Sequence, residues 1–131
     1  MDGAAVQPMV TNGVECLVGV VSDPTFGPLI AFGLGGVLAE VVGDVAFRVH
    51  PLTDVDADKL IASVKASRLL HGYRGSPPAD IPALRDLLLR VSQLVEDVPE
   101  LVEMDVNPVM VRAAGRGALA LDARLRRSRR T

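Results

Sequence analysis

The sequence predicts an α+β fold, a mainly antiparallel sheet with two helices packed on one face. Short segments rich in β-branched residues follow one another closely in the first half of the chain, as antiparallel hairpins do. Two segments with helix-start residues and helical spacing come next, and two extended segments follow them. The chain has 131 residues, 49% of them hydrophobic and 23% charged, which suits one packed domain.

The first half of the chain is predicted to form strands separated by turns. Asp23-Pro24 is a turn signal after the first of them, and the glycine cluster Gly33-Leu34-Gly35-Gly36 follows the second. Residues 1–12 show no period, so we expect a ragged N-terminus there. The predicted extended segments are 14–22, 27–33, 37–42 and 44–52.

Both helices are predicted from their first residues and their spacing. Thr53-Asp54 begins the first helix, which we place at residues 54–66. Residues 72–80 form a loop by composition, and Asp80 can cap the second helix, which Pro99 closes. Its apolar stripe consists of Leu84, Leu87, Leu88, Val91, Leu94 and Val95. The last two extended segments are 101–111 and 117–122, joined by AAGRG.

Composition and charge argue against several classes of partner. A net charge of −2 and 3% aromatic residues give no basis for nucleic-acid binding, and residues 126–131 suit a solvated basic tail better than a nucleic-acid arm. The most apolar window, residues 28–39, is too short to cross a bilayer core of about 30 Å. The N-terminus lacks the features of a signal peptide, and the single Cys16 suits a small buried residue in a reducing compartment. We therefore expect a cytoplasmic protein with no membrane partner.

The segment LVEMDVNPVMV, residues 101–111, has the composition of a buried strand but carries polar residues at alternate positions. Glu103, Asp105 and Asn107 lie two residues apart, so in a strand they share one face. A carboxylate beside an amide oxygen suits a hard cation such as Mg²⁺ and leaves the ion positive enough to hold phosphate oxygens. Pro108 removes a ladder donor, so we expect this strand to lie at an edge or to stop pairing there.

Asp122 lies on the next extended segment. A hairpin around AAGRG would bring it across from Asp105 and Asn107, where it would complete the shell of the ion. The alternation has a second interpretation, a half-exposed strand whose polar face holds no ligand, and the residue pattern alone leaves both open.

Four stretches of the sequence, taken in order, resemble a known family. They are residues 13–52 (GVECLVGVVSDPTFGPLIAFGLGGVLAEVVGDVAFRVHPL), 69–84 (LLHGYRGSPPADIPAL), 103–111 (EMDVNPVMV) and 121–125 (LDARL). They resemble the C-terminal half of the ATP-grasp domain of ADP-forming acyl-CoA (acetyl-CoA) synthetases, which is related to the β subunit of succinyl-CoA synthetase. The resemblance covers residues 13–125, so it implies a partial ATP-grasp domain between a ragged N-terminus and a basic tail.

The resemblance implies reversible formation of an acyl-CoA from an acid, CoA and ATP, through an acyl-phosphate and a phosphohistidine. It implies Mg²⁺ and ATP or ADP as cofactors. By position, the family's metal-binding residues correspond to Asp105, Asn107 and Asp122. The nucleotide-side positions correspond to Glu15, Gly33, Gly35 and Gly36, and two basic positions with a catalytic role correspond to Arg48 and Arg74. Two alternatives stay open: the glycine cluster as a plain hairpin turn, and Arg74 as a surface residue.

The resemblance leaves parts of the enzyme unaccounted for. The ATP-grasp half that binds the adenine, the CoA-binding and ligase domains and the phosphohistidine have no counterpart here, and neither His50 nor His71 matches the phosphohistidine. One hypothesis is a piece of a split or truncated synthetase that supplies Mg²⁺ ligands to a partner chain. The other is an inactive module with a binding or assembly role only. Either way we expect exposed apolar surface and self-association, while the acyl substrate and the nucleotide base stay undetermined.

Overall fold

The computed structural model describes residues 13–34, 45–64, 67–71 and 78–127, and it confirms the α+β class. Its six-stranded sheet is antiparallel in every pair, in the order β3-β2-β1-β4-β5, and β6 also pairs with β4. The strands are β1 (Gly13–Asp23), β2 (Gly27–Leu34), β3 (Val45–Val49), β4 (Leu101–Arg112), β5 (Ala118–Ala120) and β6 (Ala123–Arg127). The helices are α1 (Asp54–Ser63), α2 (Ile81–Asp97) and a 3₁₀ turn (Ser67–His71).

The sheet has two different faces, because directly paired residues share a face and the faces alternate along each strand. The helix face carries the core and packs against both helices; Val18, Phe32 and Val109 belong to it and are fully buried. The open face is the other side, defined by the alternate positions that include Leu17, Gly19, Ala31, Gly33, Phe47 and Asp105. The predicted packing of two helices on one face of the sheet is therefore confirmed.

Helix α1 begins where the sequence predicts and ends earlier. Thr53 forms a capping box with Asp56, because each side chain accepts a hydrogen bond from the other residue's backbone N–H. The predicted end at residue 66 is wrong: the last helical residue is Ser63, and Val64 is extended with φ −75° and ψ 146°. Val64 is nevertheless buried in the core. Its spacing from the other apolar residues therefore indicated a buried position and not a helical one.

Helix α2 matches its prediction closely. Asp80 is the N-cap and accepts a hydrogen bond from the Ala83 N–H, and proline lies in the first turn, where no N–H is needed. The predicted stripe faces the sheet, with the helix-center residues Leu84, Leu88 and Val91 buried. No helix among the described residues is long and apolar enough to cross a membrane.

Of the two expectations for the strand that contains Pro108, the edge position is wrong, whereas pairing with β1 is interrupted at the proline. Strand β4 lies inside the sheet, between β1 on one side and β5 and β6 on the other. Cys16 pairs with Val109 and Val18 with Val106, so Asn107 and Pro108 together oppose one residue of β1. Such a bulge leaves an unpaired position, and a proline is accommodated there without a missing ladder bond.

The predicted strand 117–122 is also revised. Strand β5 ends at Ala120, and after residues 121 and 122 the chain forms β6, which runs to Arg127. The sheet thus extends two residues into the predicted basic tail, where the Arg126 guanidinium lies 2.9 Å from the Glu103 carboxylate. The predicted strand at 37–42, the ragged residues 1–12 and the rest of the tail lie outside the described residues.

Candidate metal and nucleotide site

The candidate site starts from Asp105 on the open face of β4. Asp105 pairs with Gly19 of β1 on one side and with Arg124 of β6 on the other. Two residues on, Asn107 lies at the bulge beside Pro108. Asp105 is exposed and Asn107 is half-buried, so the carboxylate and the amide are both at the surface of the sheet.

Asp122 lies directly across from Asn107. The Asn107 N–H donates a hydrogen bond to the Asp122 carbonyl oxygen at 3.1 Å, and the flanking pair Val106–Ala123 has the same register. Asp122 is two residues from Arg124, the partner of Asp105, so strand alternation assigns it to the open face as well. It is exposed, and it lies in the two-residue break between β5 and β6 rather than on a regular strand.

The three predicted metal ligands therefore lie beside one another at one edge of the open face. All of their donor atoms are oxygens, as a hard cation prefers, and they comprise two carboxylates and one amide. Among the described residues, no group of three or more His, Cys, Asp or Glu side chains is placed to hold a metal ion. An ion held by Asp105, Asn107 and Asp122 would thus take further ligands from water or phosphate, a pattern common for Mg²⁺.

Small residues form the surface next to these polar side chains. One row of paired residues crosses the sheet in the order Arg124, Asp105, Gly19, Ala31 and Phe47. A Cβ at Gly19 would lie 3.1 Å from the Met104 carbonyl oxygen, so the strands approach closely there. The open face therefore carries only small side chains between Asp105 and Phe47 in this row. The exposed ring of Phe47 lies at the far end of the row.

Of the four positions predicted on the nucleotide side, the structure describes two, Glu15 and Gly33. Glu15 is half-buried on β1, pairs with Met110, and shares the open face with Asp105. Gly33 pairs with Leu17 of β1 and lies on the same face. Gly35, Gly36 and Arg74 lie outside the described residues.

Arg48 is not brought to the candidate ligands. It pairs with Ile30 on the helix face, and its Nε and Nη2 donate to one Asp56 oxygen at 3.2 and 3.1 Å. Hydrogen bonds from the backbone and side chain of Thr53, and then the Arg48 guanidinium, lower the pKa of the Asp56 carboxyl. In this structure Arg48 joins β3 to the start of α1, and its predicted catalytic role stays a prediction.

Three further titratable side chains, His50, Cys16 and His71, are not among the open-face residues described above. His50 Nε2 is 3.1 Å from a Glu96 carboxylate oxygen, an ion-pair distance without hydrogen-bond alignment. Cys16 is fully buried on the helix face, as predicted, and His71 is exposed at the end of the 3₁₀ turn.

Sequence reasoning missed Arg124, which pairs with Asp105 on the open face. The missing information was the existence of β6, because the last predicted strand ends at residue 122 and no strand was assigned to Arg124. Extending the strand alternation two residues past Asp122 would have found it.

Comparisons with known proteins show the family to which this chain belongs. The ATP-grasp domain family matches residues 1–126. Acetate–CoA ligase (ADP-forming) I of Archaeoglobus fulgidus is 53% identical over 115 residues, which are 88% of this chain and 17% of that protein. The β subunit of acetate–CoA ligase (ADP-forming) II of Pyrococcus furiosus is 48% identical over 124 residues, 94% of this chain and 52% of that subunit.

A solved structure is similar over the same region. It is acetyl-coenzyme A synthetase 1 of Ca. Korarchaeum cryptofilum in complex with coenzyme A and Mg-AMPPCP, with a TM-score of 0.83 and 45% identity. The match covers 88% of this chain and 53% of that one. The chain thus spans about half the length of the β subunit and of this structure, and a smaller share of the longer enzyme. From the family match, the relatives and the fold together, the chain belongs to the ATP-grasp domain family.

Proposed function

We propose that this chain is part of an ADP-forming acyl-CoA (acetyl-CoA) synthetase and contributes Mg²⁺-nucleotide binding to the reaction acid + CoA + ATP = acyl-CoA + ADP + phosphate. The observation that carries the proposal is the register that brings Asp105, Asn107 and Asp122 together on the open face. The relatives support it, because they are ADP-forming acetate–CoA ligases, and the similar solved structure contains coenzyme A and Mg-AMPPCP.

Each side chain has a role that its chemistry allows. Asp105, Asn107 and Asp122 would hold Mg²⁺ through their oxygens, and the bound ion would neutralise charge on the nucleotide phosphates. Arg124, paired with Asp105, adds a guanidinium that can donate hydrogen bonds to phosphate oxygens. Phosphoryl transfer depends mainly on such positioning and charge stabilisation, so no covalent role is needed from this face.

The open face needs a second surface to enclose a nucleotide. The chain corresponds to 52% of the Pyrococcus furiosus β subunit. We therefore propose that the other half of the ATP-grasp domain covers the open face, and that CoA-binding and ligase domains, in the same or another chain, complete the reaction. The partner is thus a protein surface that supplies the remaining nucleotide contacts.

Titration calorimetry of the full chain with Mg²⁺-ATP and Mg²⁺-ADP tests the proposal. We expect the wild type to bind at least one of them, and Asn107→Ala and Asp122→Asn each to weaken binding by roughly tenfold or more, since even outer-shell partners of a metal contribute that much. The matched control is Glu103→Gln, which removes one charge from the same strand and face without removing a proposed ligand.

The outcomes separate the two hypotheses for this chain. Weakened binding in the two ligand variants, with near wild-type binding in Glu103→Gln, supports the synthetase role. Equal weakening in all three variants would indicate only a general effect of negative charge. No binding by the wild type would contradict the proposal for the isolated chain and favour the inactive assembly module.

A further inference from the structure

Asp80 joins two elements that are distant along the chain. It is 8% exposed, and both of its carboxylate oxygens accept hydrogen bonds. Oδ1 accepts from the Ala83 N–H at 3.2 Å and caps α2, while Oδ2 accepts from the N–H groups of Gly115 at 3.1 Å and Gly117 at 2.8 Å. One oxygen therefore caps the helix, and the other accepts hydrogen bonds from the turn between β4 and β5.

The backbone around Asp80 reinforces this junction. Its N–H donates to the Arg112 carbonyl oxygen at 2.7 Å, and the Ala114 N–H donates to the Pro78 carbonyl oxygen at 2.9 Å. The Arg112 N–H in turn donates to the Gly117 carbonyl oxygen at 3.0 Å, which closes the turn. The start of α2 and the β4–β5 turn are thus held together from both sides.

This turn sets the register of the segment that carries Asp122. Gly115 and Gly117 have φ of 85° and 87°, a backbone conformation that glycine adopts without strain. The register of β4 with β5 and then with β6 is continuous from Val111 to Glu103. Because side chains alternate along a strand, a slip of one residue at the turn would move Asp122 to the helix face, away from Asp105 and Asn107.

We propose that Asp80 is a positioning residue of the candidate metal site. By accepting hydrogen bonds from Gly115 and Gly117, it fixes the β5–β6 register that presents Asp122 to Mg²⁺. The inference rests on the proposed function, since it takes Asp122 as a ligand. Asp80 acts through the turn and not on the ion.

Asp80→Ser is the sharpest variant, because serine is a good N-cap but its single short oxygen cannot also serve the turn. Thr53→Ala is the matched control, since it removes the N-cap of the other helix, far along the chain from the turn. Two quantities are measured in the full chain: amide hydrogen exchange of Asn107 and Arg112 relative to the β1–β2 ladder, and the dissociation constant for Mg²⁺ in the presence of ADP. Asp80→Asn, which keeps one acceptor oxygen, replaces the serine variant if that variant does not fold.

We expect Asp80→Ser to speed the relative exchange of both amides and to weaken Mg²⁺ binding by about tenfold or more. Thr53→Ala should lower the melting temperature and change neither quantity. Unchanged exchange in Asp80→Ser overturns the inference, and so does faster exchange with unchanged Mg²⁺ affinity. If the wild type binds no Mg²⁺, the proposed function fails and the metal role of Asp80 fails with it, while exchange still decides whether Asp80 fixes the register.

Discussion

At the scale of single residues, burial in the core makes the Cys16 thiol harder to ionise. The side chain is fully buried, and its one hydrogen bond within the described residues is weak, donated by Sγ to the Val14 carbonyl oxygen at 3.8 Å. Burial, and then the negative charge of Glu15, raise the pKa of the Cys16 thiol to about 12. Both effects disfavour the thiolate, which is the form that reacts.

We predict that Cys16 in the folded protein reacts very slowly with a thiol reagent at pH 8, where its thiolate fraction is about one in ten thousand. The rate should rise as pH approaches 12 or when denaturant exposes the residue. The measurement is the rate of thiol modification with and without urea. The control is Ser22→Cys in a Cys16→Ala background, an exposed position on the same strand; equal native rates would contradict the prediction.

The shared face of Asp105 and Asn107 was predictable at this scale because it depends on local alternation, and their role as metal ligands stays a prediction. Asp105 and Asn107 share a face in any strand, whatever its neighbours. Arg124 was not predictable from the same pattern, since its position depends on a strand, β6, that forms only because β4 offers it a partner. The ion pair of Arg48 with Asp56 was also not predictable from local sequence, because it depends on how α1 packs beside β3.

At the scale of elements, helix α2 packs its apolar residues into the core on the helix face of the sheet. Leu88 is fully buried against the core, whereas its neighbour Leu87 is half-buried. We predict that Leu88→Ala lowers the free energy of unfolding by about 2–5 kcal/mol, because the removed methyl groups leave a cavity. Leu87→Ala should cost clearly less.

Urea unfolding of both variants measures this difference. The same chemical change is made at adjacent positions of one helix, so helix propensity is matched and only burial differs. An equal loss of stability in the two variants would show that α2 does not pack as described.

Elements bounded by local start, stop or turn residues were predicted well, whereas features that depend on distant pairing were not. The N-cap Asp80 and the closing Pro99 bound α2 almost to the residue. The position of β4 inside the sheet was missed because Pro108 alone argues for an edge, and only pairing with β1 shows the bulge that accommodates it. The early end of α1 was missed because Val64 continues the apolar spacing in an extended conformation.

At the scale of the whole molecule, the open face keeps apolar side chains exposed. Phe47 is 54% exposed and Val49 is 45% exposed, and both lie on β3, an edge strand among the strands that the structure describes. Exposed apolar groups of this size next to an edge strand favour association with another surface. In the proposed synthetase, that surface is the other half of the ATP-grasp domain.

We predict that the isolated chain self-associates through this face and that Phe47→Ser shifts it towards the monomer. Sedimentation velocity over a range of protein concentrations measures the shift. Val55→Ser is the control, because Val55 is similarly exposed, at 59%, but lies on α1 on the other side of the sheet. A monomeric wild type at all concentrations, or an equal shift in both variants, would contradict the prediction.

The strand order has a consequence for folding while the chain is being synthesised. Strand β1 occupies the middle of the sheet, yet one of its two neighbours is β4, which the ribosome makes last but for β5 and β6. A nascent chain that has reached only residue 100 therefore has β1 paired with β2 alone, with one row of its backbone groups unsatisfied. Until residues 101–112 have been made, this side of β1 is an unpaired strand edge, and such edges favour pairing with another chain.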